Sequence, residues 1–310
     1  MNINKSLVRR HFDRHASEYE RYADVQKEMA EDLIAHAMER LGARGAERVE
    51  RILEIGCGTG RLTAMLVSAF PNATIAAVDL SPNMVEAARH NLRRTRPDRA
   101  DRVCWIEGDA EKLLADGSEL RCSVEAAGWD SVSGDDRRPD DPMPLPPFDL
   151  IISNAAFQWF NKPAETVAAC IDLLGADGGV LAFSTFGPGT FHQLHASFAE
   201  AERQLDAAPS PHGQRFLGQD EWRACAEGEA GEFRWSGAVR TFVYADVRTF
   251  LHQVKRVGAG NAVTGSRSGV GGRKLLETME RIYTESFPAG GGGIEADYEI
   301  GYGTFVRGEK

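Results

Sequence analysis

The stretch Ile52-Leu-Glu-Ile-Gly-Cys-Gly-Thr-Gly60 decides the fold of this chain. Its first four residues are typical of a buried strand in a parallel sheet, and the glycines that follow, Gly56, Gly58 and Gly60, allow a tight turn. Such a turn brings bare backbone close to a ligand at the carboxyl end of the strand. The stretch therefore predicts an α/β protein whose Rossmann-like sheet holds a nucleoside at this edge.

Acidic residues follow the next two predicted strands. Asp79 ends the run Thr74-Ile-Ala-Ala-Val, where an acid accepts hydrogen bonds from ribose hydroxyls, and Asp109 follows the third strand, within reach of an adenine amino group. The spacing G-x-G-x-G, with Glu54 in the strand before it, differs from the G-x-G-x-x-G of dinucleotide sites and favours an amine-bearing ligand over a diphosphate. Acids at strand ends also cap helices or face solvent, so each acid alone leaves both interpretations open.

The glycine-rich stretch also supports a first resemblance. The pattern E-x-G-x-G-x-G at residues 54–60 resembles motif I of the class I S-adenosylmethionine-dependent methyltransferases. This resemblance implies S-adenosyl-L-methionine as cofactor and S-adenosyl-L-homocysteine as product. The implied cofactor-binding residues are Glu54, Gly56, Gly58, Gly60, Asp79, Leu80, Asp109, Ala110 and Asn154. Asn154, at the end of the fourth strand, is expected either to bind the methionine end of the cofactor or to cap the strand.

The organisation of the chain indicates a doubly wound core. Five predicted strands alternate with helices, which implies a mostly parallel sheet covered on both faces; they lie at 51–56, 73–79, 102–107, 148–153 and 179–185. We expect residues 49–187 to form this Rossmann-like core. Residues 1–48, with helical spacing of apolar residues over 7–38, are expected to form an N-terminal helical segment that covers the site.

The remaining segments are predicted to be additions to the core. Residues 188–310 are expected to contain two final strands, at 233–244 and 297–306, that pair in antiparallel fashion, with a helical substrate lid (246–288) inserted between them. Within the core, residues 115–147 are polar and carry five prolines, so we predict a mobile surface insertion in which Trp129 is the one misfit.

Composition narrows the class of protein. The chain has 310 residues, 42% of them hydrophobic, which is enough for a sizeable core. Its five cysteines include no C-x-x-C pair, which argues against a disulfide framework or a metal site and favours the cytoplasm. No run approaches the roughly 20 apolar residues of a membrane span. A net charge of −10 argues against indiscriminate nucleic-acid binding. Lys and Arg nevertheless concentrate in residues 5–27 and 255–281, either as a basic face or as scattered solvated charges.

A second and more specific resemblance spans nearly the whole chain. It is carried by the stretches Ile3-Asn-Lys, Phe12–Gln26 with Ser17-Glu-Tyr19, Ser153-Asn-Ala-Ala-Phe-Gln-Trp159, Phe183–Phe191, Leu194–Phe198, Phe250–Asn261 and Arg281-Ile-Tyr283. In these stretches the chain resembles the malonyl-acyl-carrier-protein O-methyltransferases of biotin synthesis. The chain departs from that family at the 115–147 insertion, where the family usually runs directly into the fourth strand.

The resemblance implies transfer of a methyl group to the free carboxylate of a malonyl thioester on acyl carrier protein. A carboxylate is already an anion at neutral pH, so catalysis needs alignment and exclusion of water rather than a general base. Arg256 is the expected holder of the substrate carboxylate, with a surface or carrier-facing charge as the alternative. Tyr19 is expected to close over the methyl site, with simple helix packing as the alternative. Trp159 is expected to line a pocket, with core packing as the alternative, while His192 and His195 are expected at the surface or in the core.

The acidic character of acyl carrier proteins offers a reason for the two basic segments, which would form a docking face. Two other interpretations stay open. One is a methyltransferase for a small free carboxylic acid, of the trans-aconitate type, which would keep the glycine loop and the acids without needing a basic face. The other is a non-enzymatic nucleoside-binding protein on the same fold, since fold alone does not determine function.

Overall fold

The computed structural model describes residues 3–42, 45–126, 128, 129, 145, 147–176, 178–257 and 270–308. In this part of the chain seven strands form one sheet, in the order β3-β2-β1-β4-β5-β7-β6. They are β1 (Arg51–Ile55), β2 (Thr74–Asp79), β3 (Val103–Glu107), β4 (Leu150–Asn154), β5 (Val180–Phe186), β6 (Gly231–Tyr244) and β7 (Ile294–Arg307). Strands β1 to β5 run parallel, and β7 runs antiparallel to β5 and β6. The predicted Rossmann-like sheet with a terminal antiparallel strand is confirmed.

Helices cover both faces of this sheet. Successive strand residues point to opposite faces, so Ile52 and Leu53 belong to two separate buried clusters, one on each side. The helices are α1 (Lys5–His15), α2 (Tyr19–Tyr22), α3 (Asp24–Leu41), α4 (Arg61–Ala69), α5 (Pro82–Thr95), α6 (Ala110–Asp116), α7 (Ser118–Ala126), α8 (Pro163–Leu173), α9 (His192–Gln204), α10 (Gln219–Cys225), α11 (Val247–Arg256) and α12 (Val270–Ser286).

The strand order reverses at β1. Its neighbours β2 and β4 lead in opposite directions along the sheet, so the loops that follow β1 and β4 diverge and leave a crevice at the carboxyl edge. The pairing of Ile55 with Val78 brings the glycine turn after β1 level with the end of β2. The glycine turn and Asp79 therefore face the same crevice.

The N-terminal region consists of three helices, although the apolar pattern over 7–38 is nearly continuous. The longest of them, α3, buries Met29, Leu33, Ala37 and Leu41, which recur every four residues along one face. That face packs onto the sheet, in contact with β4, β5 and β7. Breaks between the helices place α1 and α2 over the crevice rather than along the sheet.

The prediction that residues 115–147 form a mobile surface insertion is wrong for its first third. Residues 118–126 form α7, whose Leu120 and Val124 are fully buried in the same cluster as Phe148. The indole of Trp129 contacts the Phe148 ring, with ring centroids 6.0 Å apart. Residues 127, 130–144 and 146 lie outside the described residues. The polar, proline-rich composition hid a helix with only two core-facing side chains.

Replacing Leu120 with alanine should therefore destabilise the protein. We expect the free energy of unfolding to fall by about 2–3 kcal/mol, the lower part of the range for a buried leucine, because α7 is a peripheral helix that can relax around the cavity. Urea denaturation measures the change. The exposed Glu125 on the same helix provides the control, since Glu125→Ala should stay within about 0.5 kcal/mol of the parent. Equal stability of the Leu120 variant and the parent would show that α7 does not belong to the core.

The helical insertion lies where it was predicted, between the last two strands. In the chain α11 and α12 follow β6 and precede β7, and α12 packs along α9. The glycine-rich residues 258–269, which include Asn261, lie outside the described residues. No helix of the described ranges has both the length and the apolar character to cross a membrane.

Candidate active site

A cavity lies in the crevice at the carboxyl ends of β1, β2 and β4. We refer to it as the first cavity. Nine of the predicted site residues line it: Tyr19, Gly56, Gly58, Asp79, Leu80, Asp109, Ala110, Asn154 and Trp159. Helix α1 contributes Lys5, Val8 and Phe12 to the opposite wall. The structure thus brings together residues from five segments that are far apart in sequence.

The glycines of the turn after β1 have different roles. Gly56 has a φ of +75°, and a Cβ there would lie 2.5 Å from the Cβ of Ala156 in the cavity wall. Gly58, at φ +53°, has open space where its side chain would be, so its backbone is exposed to the cavity. Gly60 does not line the first cavity. It begins α4 at φ +85°, where a Cβ would meet the backbone and Cβ of Ala88, so its role is the packing of α4 against α5.

Asp79 links the two loops at the centre of the first cavity. Its Oδ2 accepts a hydrogen bond from the Gly58 amide at 2.8 Å, and its Oδ1 accepts one from the Ser81 amide at 2.8 Å. Burial raises the pKa of Asp79 to about 6, against the opposing effect of these two amides. A carboxylate fixed in this way presents its remaining lone pairs to the cavity.

Glu54 lies beneath the glycine turn and does not line the first cavity. The side chain is fully buried, and its Oε2 accepts a hydrogen bond of 2.6 Å from the Thr63 hydroxyl of α4. Its Oε1 has no hydrogen-bond partner among the described residues. Burial raises the pKa of Glu54 to about 8. This geometry therefore does not favour the predicted direct contact between Glu54 and a ligand.

Asp109 caps a helix, and this cap leaves it facing the first cavity, so its contact with an adenine amino group stays a prediction. It caps α6, because its side chain accepts a hydrogen bond from the Glu111 amide at 3.2 Å, and it also lines the first cavity with Ala110. Lys5 of α1 lies 3.2 Å from Asp109 Oδ1 and 2.7 Å from Glu111 Oε2. These ion pairs hold the start of α1 against the edge of the sheet.

Asn154 also fixes the N-terminal region while lining the first cavity. Its Nδ2 donates to the backbone carbonyl of Gln26 at 2.9 Å, and its Oδ1 accepts from the Ser184 hydroxyl at 2.6 Å. Further polar contacts join Asp13 to the Ser81 hydroxyl at 2.6 Å and Glu20 to the Thr59 hydroxyl. The cover over the first cavity is thus held largely by hydrogen bonds and ion pairs.

A second cavity adjoins the first and shares Phe12, Tyr19, Ala155 and Trp159 with it. The ring of Trp159 meets that of Phe12 edge-on, at 5.9 Å between centroids. Other residues that line the second cavity include Gln158, Phe191, His195, Gln214, Phe216 and Val257. Tyr19 and Trp159 therefore lie where both cavities meet.

Sequence reasoning missed four polar residues of the second cavity, of which Gln26 ends the stretch Phe12–Gln26 quoted for the family resemblance. Gln158 lies inside the stretch quoted for the family resemblance, which was the available signal. His195 was expected at the surface or in the core, although it lies inside the stretch Leu194–Phe198 quoted for the family resemblance, whereas His192 does not. Gln214 lies in the connection between α9 and α10, which has no motif.

Arg256 lines neither cavity. Its Nη1 lies 2.5 Å from Glu18 Oε2, its Nε donates to His252, and its guanidinium lies over the ring of Tyr22. This ion pair with the residue before Tyr19 fits the alternative of a surface or carrier-facing charge. The contact of Arg256 with a substrate carboxylate stays a prediction that its position outside both cavities does not favour.

The first cavity suits a nucleoside with an attached amino acid. It combines exposed backbone at Gly58, two carboxylates at strand ends, and aromatic rings at the side shared with the second cavity. Lys5 and the carboxylates give the first cavity charges of both signs. Among the described residues no three His, Cys, Asp or Glu side chains come together as a metal site would require.

Comparison with known proteins gives consistent results. A family model described as a methyltransferase domain matches residues 53–181. Malonyl-[acyl-carrier protein] O-methyltransferase of Geobacter sulfurreducens is 36% identical over 311 residues, which covers 98% of this chain and 100% of that protein. The enzyme of the same name from a Paenibacillus species is 34% identical over 301 residues, with 96% and 98% coverage. The YcgJ protein of Bacillus subtilis shares the fold, with a TM-score of 0.50 at 17% identity over 88% of this chain and 99% of that one.

Proposed function

The chain belongs to the malonyl-[acyl-carrier protein] O-methyltransferase family, and we propose that it methylates the free carboxylate of a malonyl thioester on acyl carrier protein. The observation that carries this proposal is the pair of adjoining cavities whose common wall contains Tyr19 and Trp159. A transferase for a methyl group needs a donor site and an acceptor site that meet at one point. The methyl ester formed would enter biotin synthesis.

The activity depends on S-adenosylmethionine, which we assign to the first cavity. Asp79 would hold the ribose and Asp109 the adenine end, with the exposed backbone at Gly58 close to the ligand. Asn154 would bind the methionine end of the cofactor only with the Nδ2 hydrogen and the Oδ1 lone pair that its two existing hydrogen bonds do not use. When bound, this cofactor supplies an electrophilic methyl group on a positively charged sulfur.

The chain's own contribution to the reaction is alignment and exclusion of water. Phe12, Tyr19 and Trp159 enclose the point where the cavities meet, and α1 and α2 close it from the outside. Burial raises the pKa of the Tyr19 phenol well above its ordinary value, and the nearby charges of Glu20 and Asp79 raise it further. The hydroxyl therefore stays protonated. Such a group donates a hydrogen bond without accepting a proton, which suits an acceptor that needs no base.

A basic surface lies beside the second cavity, where the end of α11 meets α1. We call it the basic junction; it consists of His11, Arg14, His15, Lys255 and Arg256. The His11 and His15 rings lie 4.6 Å apart, and His15 Nδ1 lies 3.4 Å from Arg256 Nη1. Val257, the next residue, lines the second cavity. Burial lowers the pKa of His11 and His15, and Arg256 is paired with Glu18, so the local excess of positive charge comes from Arg14 and Lys255. On a chain with net charge −10, this excess supports docking of an acidic carrier protein at the mouth of the acceptor site.

Reversing two charges of the basic junction should lower kcat/KM for the carrier-protein substrate and leave that for a small thioester unchanged. In the variant Arg14→Glu with Lys255→Glu, both side chains being exposed, we expect kcat/KM for malonyl-carrier protein to fall about 10-fold and to lose its salt dependence. For malonyl-N-acetylcysteamine, a small thioester, the value should stay within about 2-fold, because a tenfold change needs about 1.4 kcal/mol.

The matched control makes the same charge change at the opposite edge of the sheet. Arg48 precedes β1 and Arg93 lies in the last turn of α5, and both are exposed. The variant Arg48→Glu with Arg93→Glu should leave kcat/KM for both substrates unchanged. Equal losses for both substrates in the basic-junction variant would mean that this surface serves the active site and not the carrier protein.

One assay tests the proposed function as a whole. Radiolabelled methyl transfer from S-adenosylmethionine is measured with malonyl-carrier protein, malonyl-N-acetylcysteamine, free malonate and trans-aconitate. We expect transfer to the thioesters, with the carrier protein preferred. Transfer to free acids alone would support a small-acid methyltransferase instead, and binding of S-adenosylmethionine without any transfer would support a nucleoside-binding protein.

A further inference from the structure

The described lining of the second cavity carries no formal charge, which is unusual for a site proposed to receive an anion. Of the described residues that line it, none is Lys, Arg, Asp or Glu. Its walls are aromatic rings and neutral polar side chains. The nearest sequence-based candidate for a cation, Arg256, is engaged by Glu18 outside the cavity. A carboxylate that enters this cavity meets neutral hydrogen-bond donors.

Two of the five polar side chains that line the second cavity are already engaged in hydrogen bonds. Gln158 Nε2 donates to the Ala155 carbonyl at 2.6 Å, and Gln158 Oε1 accepts from the Thr185 hydroxyl at 3.3 Å. Gln214 Nε2 donates to the Gln158 carbonyl. By contrast, the side chains of Tyr19, Gln26 and His195 line the cavity and make no hydrogen bond to any described residue. These three side chains have donors available for a ligand, and Tyr19 and His195 are the two with rings.

We propose that the acceptor carboxylate is held in the second cavity by the Tyr19 hydroxyl and the His195 imidazole, without a cationic side chain, and that His195 selects the acceptor. This inference rests on the proposed function. Tyr19 lies at the wall shared with the first cavity, whereas His195, in the first turn of α9, lines the second cavity alone. The pair therefore spans the second cavity from the transfer point inward.

The protonation of His195 agrees with this assignment. Burial lowers the pKa of His195, and the neighbouring His212 and His192 lower it further. The ring is thus neutral near pH 7, with one N–H that can donate. His212 itself is tied to Glu202, at 2.8 Å from Nε2 to Oε1, and stacks on Phe198. It is therefore not a competing ligand.

The neutral character of the described lining of the second cavity has a catalytic reason. In the transfer, one carboxylate oxygen forms a bond to the methyl carbon while the carbon–sulfur bond breaks and its electron pair stays on sulfur. The negative charge of the acceptor disappears as this happens. A fixed guanidinium would stabilise the anion more than the transition state and so slow the step. Neutral donors also orient the oxygen, but they stabilise the anion less than a guanidinium does and therefore slow the step less.

Equilibrium binding of malonyl-N-acetylcysteamine, measured by calorimetry with S-adenosylhomocysteine present and no methyl donor, tests the role of His195. The variant His195→Phe keeps the ring but removes both nitrogens, so Kd should rise about 10- to 100-fold, as for loss of a hydrogen bond to a charged group. His195→Gln restores a neutral donor and should bind within about 3-fold of the parent. S-adenosylhomocysteine affinity and thermal midpoint should be unchanged in both.

His192 provides the matched control. It precedes His195 by three residues on α9, its side chain is exposed, and it lines neither cavity. The variant His192→Phe should bind the thioester like the parent. Parent-like binding by His195→Phe, or a loss in Arg256→Ala as large as that in His195→Phe, would overturn the inference. Since the parent's transfer to malonyl thioesters is assayed separately, failure of the proposed function would be seen there first.

Discussion

Replacing Gly56 with alanine is expected to abolish tight binding of S-adenosylmethionine. The new Cβ would have to occupy a point 2.5 Å from the Cβ of Ala156, which lines the first cavity, at a φ of +75°. The left-handed backbone costs an alanine about 1–2 kcal/mol, and overpacking costs about 1–3 kcal/mol more. Relief of the clash must move either Ala156 or the glycine turn. We expect affinity to fall about 100-fold or more in calorimetry, with a loss of stability of about 2–5 kcal/mol.

Gly117 separates the effect of backbone strain from the effect of the clash. It ends α6 at φ +68°, and the nearest atom to its missing Cβ is a Leu145 carbon at an ordinary 3.7 Å. Gly117→Ala should therefore lose only about 1–2 kcal/mol of stability and should bind S-adenosylmethionine like the parent. If the Gly56 and Gly117 variants behaved alike in both measurements, the close approach of Gly56 to Ala156 would have no functional consequence.

Replacing Glu54 with glutamine is expected to change how stability depends on pH. Burial raises the pKa of Glu54 from 4.5 to about 8 in the folded protein. Between these values the folded state keeps a proton that the unfolded chain has released, so stability falls as pH rises through this window. Each unit corresponds to about 1.4 kcal/mol. The glutamine variant lacks this slope, so it should become more stable relative to the parent by roughly 4–5 kcal/mol between pH 4.5 and pH 8.5.

The measurement is urea denaturation of the ligand-free protein across that pH range. Taking the difference between variant and parent removes the contributions of other groups, including Asp79, whose raised pKa of about 6 is present in both proteins. Glu50→Gln makes the same chemical change at an exposed position just before β1 and should leave the parent's slope intact. Parallel pH profiles for the Glu54 variant and the parent would show that Glu54 is ionised in the folded state at neutral pH.

The sequence by itself determined the sheet, the glycine turn and most of the first cavity. These features depend on local signals. Apolar runs that alternate with helices specify a parallel core, and glycines after β1 specify a tight turn. Since the carboxyl ends of parallel strands meet at one edge, Gly58, Asp79, Asp109 and Asn154 had to lie near one another. The final antiparallel strands followed in the same way from their alternating patterns.

Only the tertiary structure decided which partner each charged or buried side chain has. Arg256 pairs with Glu18, which is 238 positions away in sequence, and no local pattern can specify such a contact. Glu54 and Gly60 both match the motif but do not line the first cavity. Glu54 lies beneath the turn, bonded to Thr63 of α4, and Gly60 lies against Ala88, where α4 packs on α5. His195 and the buried face of α7 were missed for the same reason. Their burial depends on neighbours supplied by distant segments, whereas turns and strands depend on the conformational preferences of adjacent residues.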